Sequence, residues 1–253
     1  MSTFVRPRRV ARPTLRLFVF HHAGGSASAY HALAKLLPAD WEVLLHEQPG
    51  RGVRRGEPLR ADMRQLVDGA FADVAPYTDG LFALFGHSMG AIVAVEVGRR
   101  LADGGRPPLW IGVSGRRASA ASTPSELCLA RTDDTELFRT LLQLGGTPQR
   151  LGDIPELTQF FLRVARSDLR AVGSYRPDSR RSLLPCPLTA FGGISDSWAP
   201  PDSLSGWKDE TMSTFRQCLF PGGHFYFLDT AFVALAREIR TEARAALATA
   251  VTG

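Results

Sequence analysis

"LFALFGHSMGA", residues 81–91, decides the fold. An apolar run ends in Gly86 and His87, a single serine stands at Ser88, Met89 and Gly90 follow, and apolar residues then resume. G-x-S-x-G between a strand and a helix is the pattern of a strained strand-to-helix turn, with glycines where a side chain would strike the neighbouring strand or helix. Such a turn holds the serine hydroxyl out for attack. The helix that follows aims its N-terminal amides at the hydroxyl and favours negative charge there. Five residues alone would also fit a glycine-flanked turn without chemistry, so the surrounding elements have to separate the two readings.

Working outward from the elbow, short apolar runs alternate with helical patterns, which predicts an α/β fold: a mostly parallel sheet with helices on both faces. "LRLFVF" (15–20) is a strand, followed by the loop "HHAGGSA" and a helix near 28–37. "WEVLLHE" (41–47) is a second strand, and a helix near 62–77 leads to "GLFALFG", after which a helix spans about 89–101. Further strands are expected at 108–115, 187–193 and 215–223, with a closing helix at 230–248. The whole of 1–253 reads as one domain. Residues 1–14 match no element and are expected to be a mobile segment.

About seventy residues between the strands at 108–115 and 187–193 exceed one crossover, so 118–184 is expected to be an insertion over the sheet. "DDTELFRTLLQLGG" starts with acidic residues and stops at a glycine pair, as a capped helix does, and "PELTQFFLRVARSDLRAV" starts with proline. Phe138, Leu141, Leu142, Phe160, Phe161 and Val164 are candidates for an apolar lining, with Phe138, Leu141, Phe160 and Phe161 the expected substrate-binding residues.

Composition narrows the function classes. Hydrophobic residues are 44% and charged residues 22% of the 253, the balance of an ordinary soluble domain. No apolar run reaches membrane-spanning length, and the basic N-terminus leads into no signal-peptide core, so neither a membrane nor a secreted location is expected. Cys128, Cys186 and Cys218 lack metal spacing and read as reduced thiols in the cytoplasm. The net charge is +5, and all but Lys35 and Lys208 of the 30 basic residues are arginine. Their dispersed pairs lack aromatic interleaving, which argues against nucleic acid and for a solvated basic surface or an acidic protein partner. No cofactor or metal is implied.

A serine needs a base to take its proton. On folds with this elbow the order is serine, acid, histidine. Of the six histidines only His224 follows Ser88, in "FPGGHFYF" directly after the last expected strand. The acid belongs in a loop after a strand between the two; Asp196 in "FGGISDSW" fits best, Asp202 is its rival, and Asp178 lies at the wrong end. An oxyanion hole needs two backbone N–H groups. Met89 supplies one and the loop "HHAGGSA" the other, from Ala23 or, failing that, His22.

"FHHAGGSASAY", "EQPGRG", "FGHSMGA", "SYRP", "LPCPLTAFGG", "GW" and "FPGGHFYFL" occur in this order across about residues 15–230. In this the chain resembles the stand-alone type II thioesterases that accompany polyketide synthases and nonribosomal peptide synthetases, and their medium-chain fatty-acid relatives. The resemblance implies an α/β-hydrolase fold with a helical lid, and hydrolysis of acyl groups from the phosphopantetheine arm of acyl or peptidyl carrier proteins. It places Ser88, Asp196 and His224 in the triad and Met89 and Ala23 in the oxyanion hole. The family commonly has proline where His21 and Ser197 stand here, which bears on the oxyanion loop and on the hold over Asp196.

A carboxylesterase or lipase on the same fold is the alternative, since fold does not fix substrate; a catalytically silent binding module would be expected to lack a triad member. The enzyme is expected to be a monomer. Arg51, Arg54, Arg55, Arg116 and Arg117 fall in loops at strand ends and are expected to steer an acidic carrier to the site.

Overall fold

The computed structural model describes residues 3–118, 128–147, 149–228 and 232–252. Seven strands form one sheet: β1 (Phe4–Val5), β2 (Leu15–Phe20), β3 (Trp41–His46), β4 (Phe82–His87), β5 (Ile111–Ser114), β6 (Leu188–Gly193) and β7 (Phe215–Phe220). Their order is β1-β3-β2-β4-β5-β6-β7, with only β1 antiparallel to its neighbour. The helices are α1 (His31–Leu36), α2 (Met63–Val74), α3 (Met89–Asp103), α4 (Asp134–Leu144), α5 (Pro155–Ser174), α6 (Pro201–Leu204) and α7 (Phe232–Thr252). Among the described residues no helix is long and apolar enough to cross a membrane.

Strands covered on both faces read as continuous apolar runs because odd and even residues enter different helix layers. In β2, Phe18 and Phe20 join α2 and α3 in one core, while Leu15, Leu17 and Val19 join α1 and α7 in the other. In β4, Phe82 and Leu84 go one way and Ala83 and Phe85 the other. The chain therefore leaves β2 toward α1 on one face and leaves β4 toward α3 on the opposite face, although the two strands are paired, Phe20 opposite Gly86. Where neighbouring strands send their connections to opposite faces, a crevice opens beyond their carboxyl ends. Both the elbow and the "HHAGG" loop lie at that crevice.

Two expectations are corrected. The N-terminal segment is not an unattached tail: β1 pairs with β3, and Phe4 is buried with its ring against Phe18 (5.7 Å between centroids), Tyr77 (5.6 Å) and His46 (5.5 Å). Arg8 donates to the carbonyl of Pro38 at 2.6 Å and Thr14 to Asp40 at 2.6 Å, tying the rest of the segment down. The insertion, of which residues 119–127 and 148 lie outside the described residues, is not uniformly a lid. The end of α5 belongs to the main core through Ala171 and Val172, and Ser174 accepts the amide N–H of Met63 at 2.9 Å.

Because Phe4 fills a closed aromatic site, Phe4→Ala is expected to lower the unfolding free energy by about 3 kcal/mol, whereas Arg9→Ala, at an exposed position, is expected to change it by less than about 0.5 kcal/mol. Urea titration of both variants checks this.

Candidate active site

Ser88 has φ 55° and ψ −114°, and it is the one non-glycine residue with positive φ among those described. The conformation is costly and survives because both flanks lock it. A Cβ on Gly86 would fall on the carbonyl of Gly90, and a Cβ on Gly90 would fall on the carbonyl of Phe20 at the end of β2. The Ser88 amide donates to the Ser114 carbonyl at 2.8 Å, holding the turn to β5. Helix α3 begins at Met89, so its first amide follows the serine directly.

His224 lies four residues past β7. Its Nδ1–H donates to Asp196 Oδ2 at 2.9 Å, which leaves Nε2 as the free basic nitrogen. Asp196, three residues past β6, also accepts the amides of Trp198 (2.8 Å) and Ala199 (3.0 Å) at Oδ1. Burial pushes the Asp196 carboxyl up, but the bond to His224, its charge and the two amides outweigh this and hold it below the usual carboxylate range. Those amides fix the acid, with Ser197 between it and Trp198. The rival Asp202 is exposed on α6.

The "HHAGG" loop is held by its own histidine. His21 is buried; its Nδ1–H donates to the His22 carbonyl at 2.8 Å and its Nε2 accepts from the Gln48 amide at 3.3 Å. Both nitrogens are used, so His21 bridges the ends of β2 and β3.

Ser88, His224 and Ala23 meet at one pocket whose walls include Leu141, Leu144, Phe161, Leu169, Val172, Trp198 and Phe225. Of the four expected substrate-binding residues the structure brings in Leu141 and Phe161. It excludes the other two. Phe138 turns into a separate groove between α4 and α5 with Leu142 and Leu162, because Leu137 and Leu141 occupy the inward face of α4. Phe160 is 37% exposed, with the Arg163 guanidinium 5.4 Å from its ring centre. Sequence reasoning missed Leu169 and Val172, which continue the stripe 161–165–169–172 on one face of α5; helical spacing would have found them where aromatic character did not.

The arginines expected to steer a partner are mostly interior. Arg51 pairs with buried Asp168, Arg54 with Glu57 (2.6 Å) and Asp73 (2.9 Å), and Arg116 is buried. Arg117 donates to the Trp198 carbonyl at 2.9 Å; Arg55 alone of the five is exposed.

Residues 15–242 match the family model described as the thioesterase domain. The chain belongs to that family. It is 32% identical over 235 residues to the gramicidin S biosynthesis protein GrsT of Aneurinibacillus migulanus, covering 90% of this chain and 89% of that one. It is 36% identical over 219 residues to the thioesterase PikA5 of Streptomyces venezuelae, covering 85% and 76%. Among solved structures, the type II thioesterase BorB from the borrelidin biosynthetic cluster superposes with a TM-score of 0.86 at 30% identity, covering 96% of this chain and 98% of that one.

The thioesterase surrounds its elbow with neutral imidazoles. His87, fully buried, shares hydrogen bonds from Nδ1 to Ser114 Oγ (2.9 Å) and onward to Tyr226 (2.7 Å), and its ring lies 4.8 Å from that of His224. Burial, first of all, and then the neighbouring histidines hold His87 well below the usual histidine range. Burial likewise lowers His21 and His46, and takes His22 down to about 3.

This predicts an acid-sensitive fold. Below pH 6.5 the unfolded chain takes up protons on these four histidines more readily than the native state does, so stability falls as pH drops below about 6.5, with His22 carrying the loss on toward pH 3. Each contributes up to about 1.4 kcal/mol per pH unit to the slope. Urea unfolding at pH 7.5, 6 and 5 measures it, and His22→Gln is expected to remove one proton from the uptake.

Proposed function

We propose that this thioesterase is a stand-alone editing enzyme that hydrolyses acyl groups from the phosphopantetheine arm of acyl or peptidyl carrier proteins in polyketide or nonribosomal peptide assembly, in the cytoplasm. The observation that carries the reading is the shared cavity: Ser88 and His224 open onto apolar walls supplied by the inserted helices α4 and α5. Those walls suit an acyl chain. The likeness to GrsT, PikA5 and BorB supports the class of pathway.

The chemistry follows from the atoms in place. Ser88 Oγ attacks the thioester carbonyl carbon while His224 Nε2 takes its proton, and Asp196 stabilises the imidazolium through Nδ1–H. The oxygen that becomes negative is met by the N–H groups of Met89 and Ala23. As the intermediate collapses, the C–S bond breaks, His224 returns its proton to the sulfur, and the free arm leaves. A water then gives its proton to His224 and adds to the acyl-serine. Collapse releases the carboxylic acid and restores Ser88. Thioester and water become acid and thiol, with no cofactor required.

Ser88→Ala is expected to lower turnover by at least about 10⁴-fold and to abolish labelling by a fluorophosphonate, which in the parent protein adds once, at Ser88. Asp196→Asn is expected to cost about three to four orders of magnitude in kcat with the fold retained, and Asp202→Asn nothing measurable. Labelling elsewhere, or the opposite ranking of the aspartates, would overturn the assignment.

Substrate class is tested separately. An acyl carrier protein is expected to give higher kcat/KM than the same acyl group on N-acetylcysteamine, and the thioester higher kcat/KM than the matched oxygen ester. A preference for the oxygen ester would favour a carboxylesterase.

A further inference from the structure

Among the described arginine–carboxylate pairs that of Arg51 with Asp168 is the most deeply buried, the two side chains being 3% and 0% exposed. Burying two charges costs several kcal/mol, and a close pair often does no more than recover it. Net stability is therefore a poor explanation for its presence, and what the pair holds becomes the question.

Asp168 sits on α5, one turn from Val172 and adjacent to Leu169, both walls of the Ser88 cavity. Its Oδ1 accepts Arg51 Nη2 at 2.8 Å. Its Oδ2 accepts Arg51 Nη1 and also the backbone N–H of Gly24, at 2.8 Å. Arg51 in turn donates to the carbonyls of Gly25 and Pro49, each at 3.4 Å. One carboxylate thus joins three segments: the inserted helix, the loop after β2, and the "QPGRG" loop after β3. Contact is also close: a Cβ on Gly24, whose φ is +75°, would lie 3.1 Å from Ala165 Cβ and 3.2 Å from the Phe161 ring.

Gly24 N is one half of the peptide that begins at Ala23. Fixing it fixes the plane of that peptide on one side of Ala23. The peptide that carries the Ala23 N–H is held on the other side through its His22 carbonyl, which accepts the Gly25 N–H at 3.1 Å and His21 Nδ1–H at 2.8 Å. Rotation about Ala23 is thus limited from both ends. We propose that Asp168 and Arg51 are positioning residues that clamp the loop after β2 to α5, so that the oxyanion donor at Ala23 is already aimed before substrate arrives. The inference rests on the assignment of Ala23 given above. It makes α5 a fixed part of the catalytic centre, not a free lid: the acyl-chain wall and the oxyanion loop share one anchor. Preorganised donors accelerate reaction because they need no reorientation as charge develops.

The test uses Asp168→Asn and the double variant Arg51→Met/Asp168→Leu on the full chain, with acyl-N-acetylcysteamine as substrate. The double variant removes both charges together, so its melting temperature is expected to return close to that of the parent. Both variants are expected to show faster amide exchange in residues 21–27 and kcat lower by about 100-fold, the scale of one lost oxyanion donor, with KM within about threefold. A double variant that recovers kcat along with its melting temperature would overturn the clamp and leave a purely structural pair, as would unchanged exchange in 21–27. Faster exchange with unaltered kcat would support the clamp and instead sink Ala23 as oxyanion donor.

Discussion

Helix α3 starts pressed against the end of β2, and it can do so only because position 90 has no side chain; the Phe20 carbonyl stands where a Cβ would be. This close approach forces Ser88 into its positive-φ conformation and brings the amide end of α3 up to the crevice between β2 and β4. A second site at another strand end would lack both features. The position of His224 is dictated by the same frame, since β6 and β7 run parallel in register with the rest and deliver Asp196 and His224 to the same edge.

Much of this was legible in the sequence, for reasons that differ by residue. Ser88 was legible because strain demands glycine on both sides, and His224 because only one histidine satisfies the chain order. Asp196 followed from strand geometry, its loop falling just beyond β6 where Asp202 stands too far along. Five strands, β2 to β6, were visible as apolar runs because each is buried on both faces. The edge strand β7 showed through Phe215, Cys218, Leu219 and Phe220 although Arg216 and Leu219 are exposed. β1 was not visible, because a two-residue antiparallel edge strand carries no run and no period. Phe138 and Phe160 were misplaced for a related reason. Aromatic character marks a residue as apolar but does not say which face of a helix it occupies; Leu141 and Leu169 reach the cavity because the helical period turns them there.

The charge of the chain gave the least reliable guide. An excess of arginine suggested an electrostatic surface, yet Arg51, Arg54 and Arg99 lie inside, each held by a carboxylate. Arginine suits such places because its planar fork can satisfy a carboxylate and a carbonyl at once and stays charged in a low dielectric. Histidine behaves oppositely: burial disfavours its charge, so His21, His22 and His87 act as neutral polar joints near the elbow, and burial lowers His46, two strands away, despite its bond to Asp73. Sequence counts of basic residues do not distinguish these states, because the count is blind to depth.

The same physics divides the inserted helices. Helix α5 buries nine residues, including the Asp168 carboxylate and the Ala171–Gly173 end that enters the main core. Helix α4 buries only Leu137 and Leu141 and ends at Gly145 in the left-handed conformation, with a wide groove separating part of it from α5. Local opening is least costly where few apolar contacts must be broken. On the proposed function, an acyl chain that needs more room would meet less resistance from α4 and its Leu141–Leu144 wall than from Phe161, Leu169 and Val172 on the anchored helix. Under the proposed roles, chain-length tolerance falls to α4 and the hold on the Ala23 loop to α5, so that wall of the pocket can vary without moving Asp168 or Gly24.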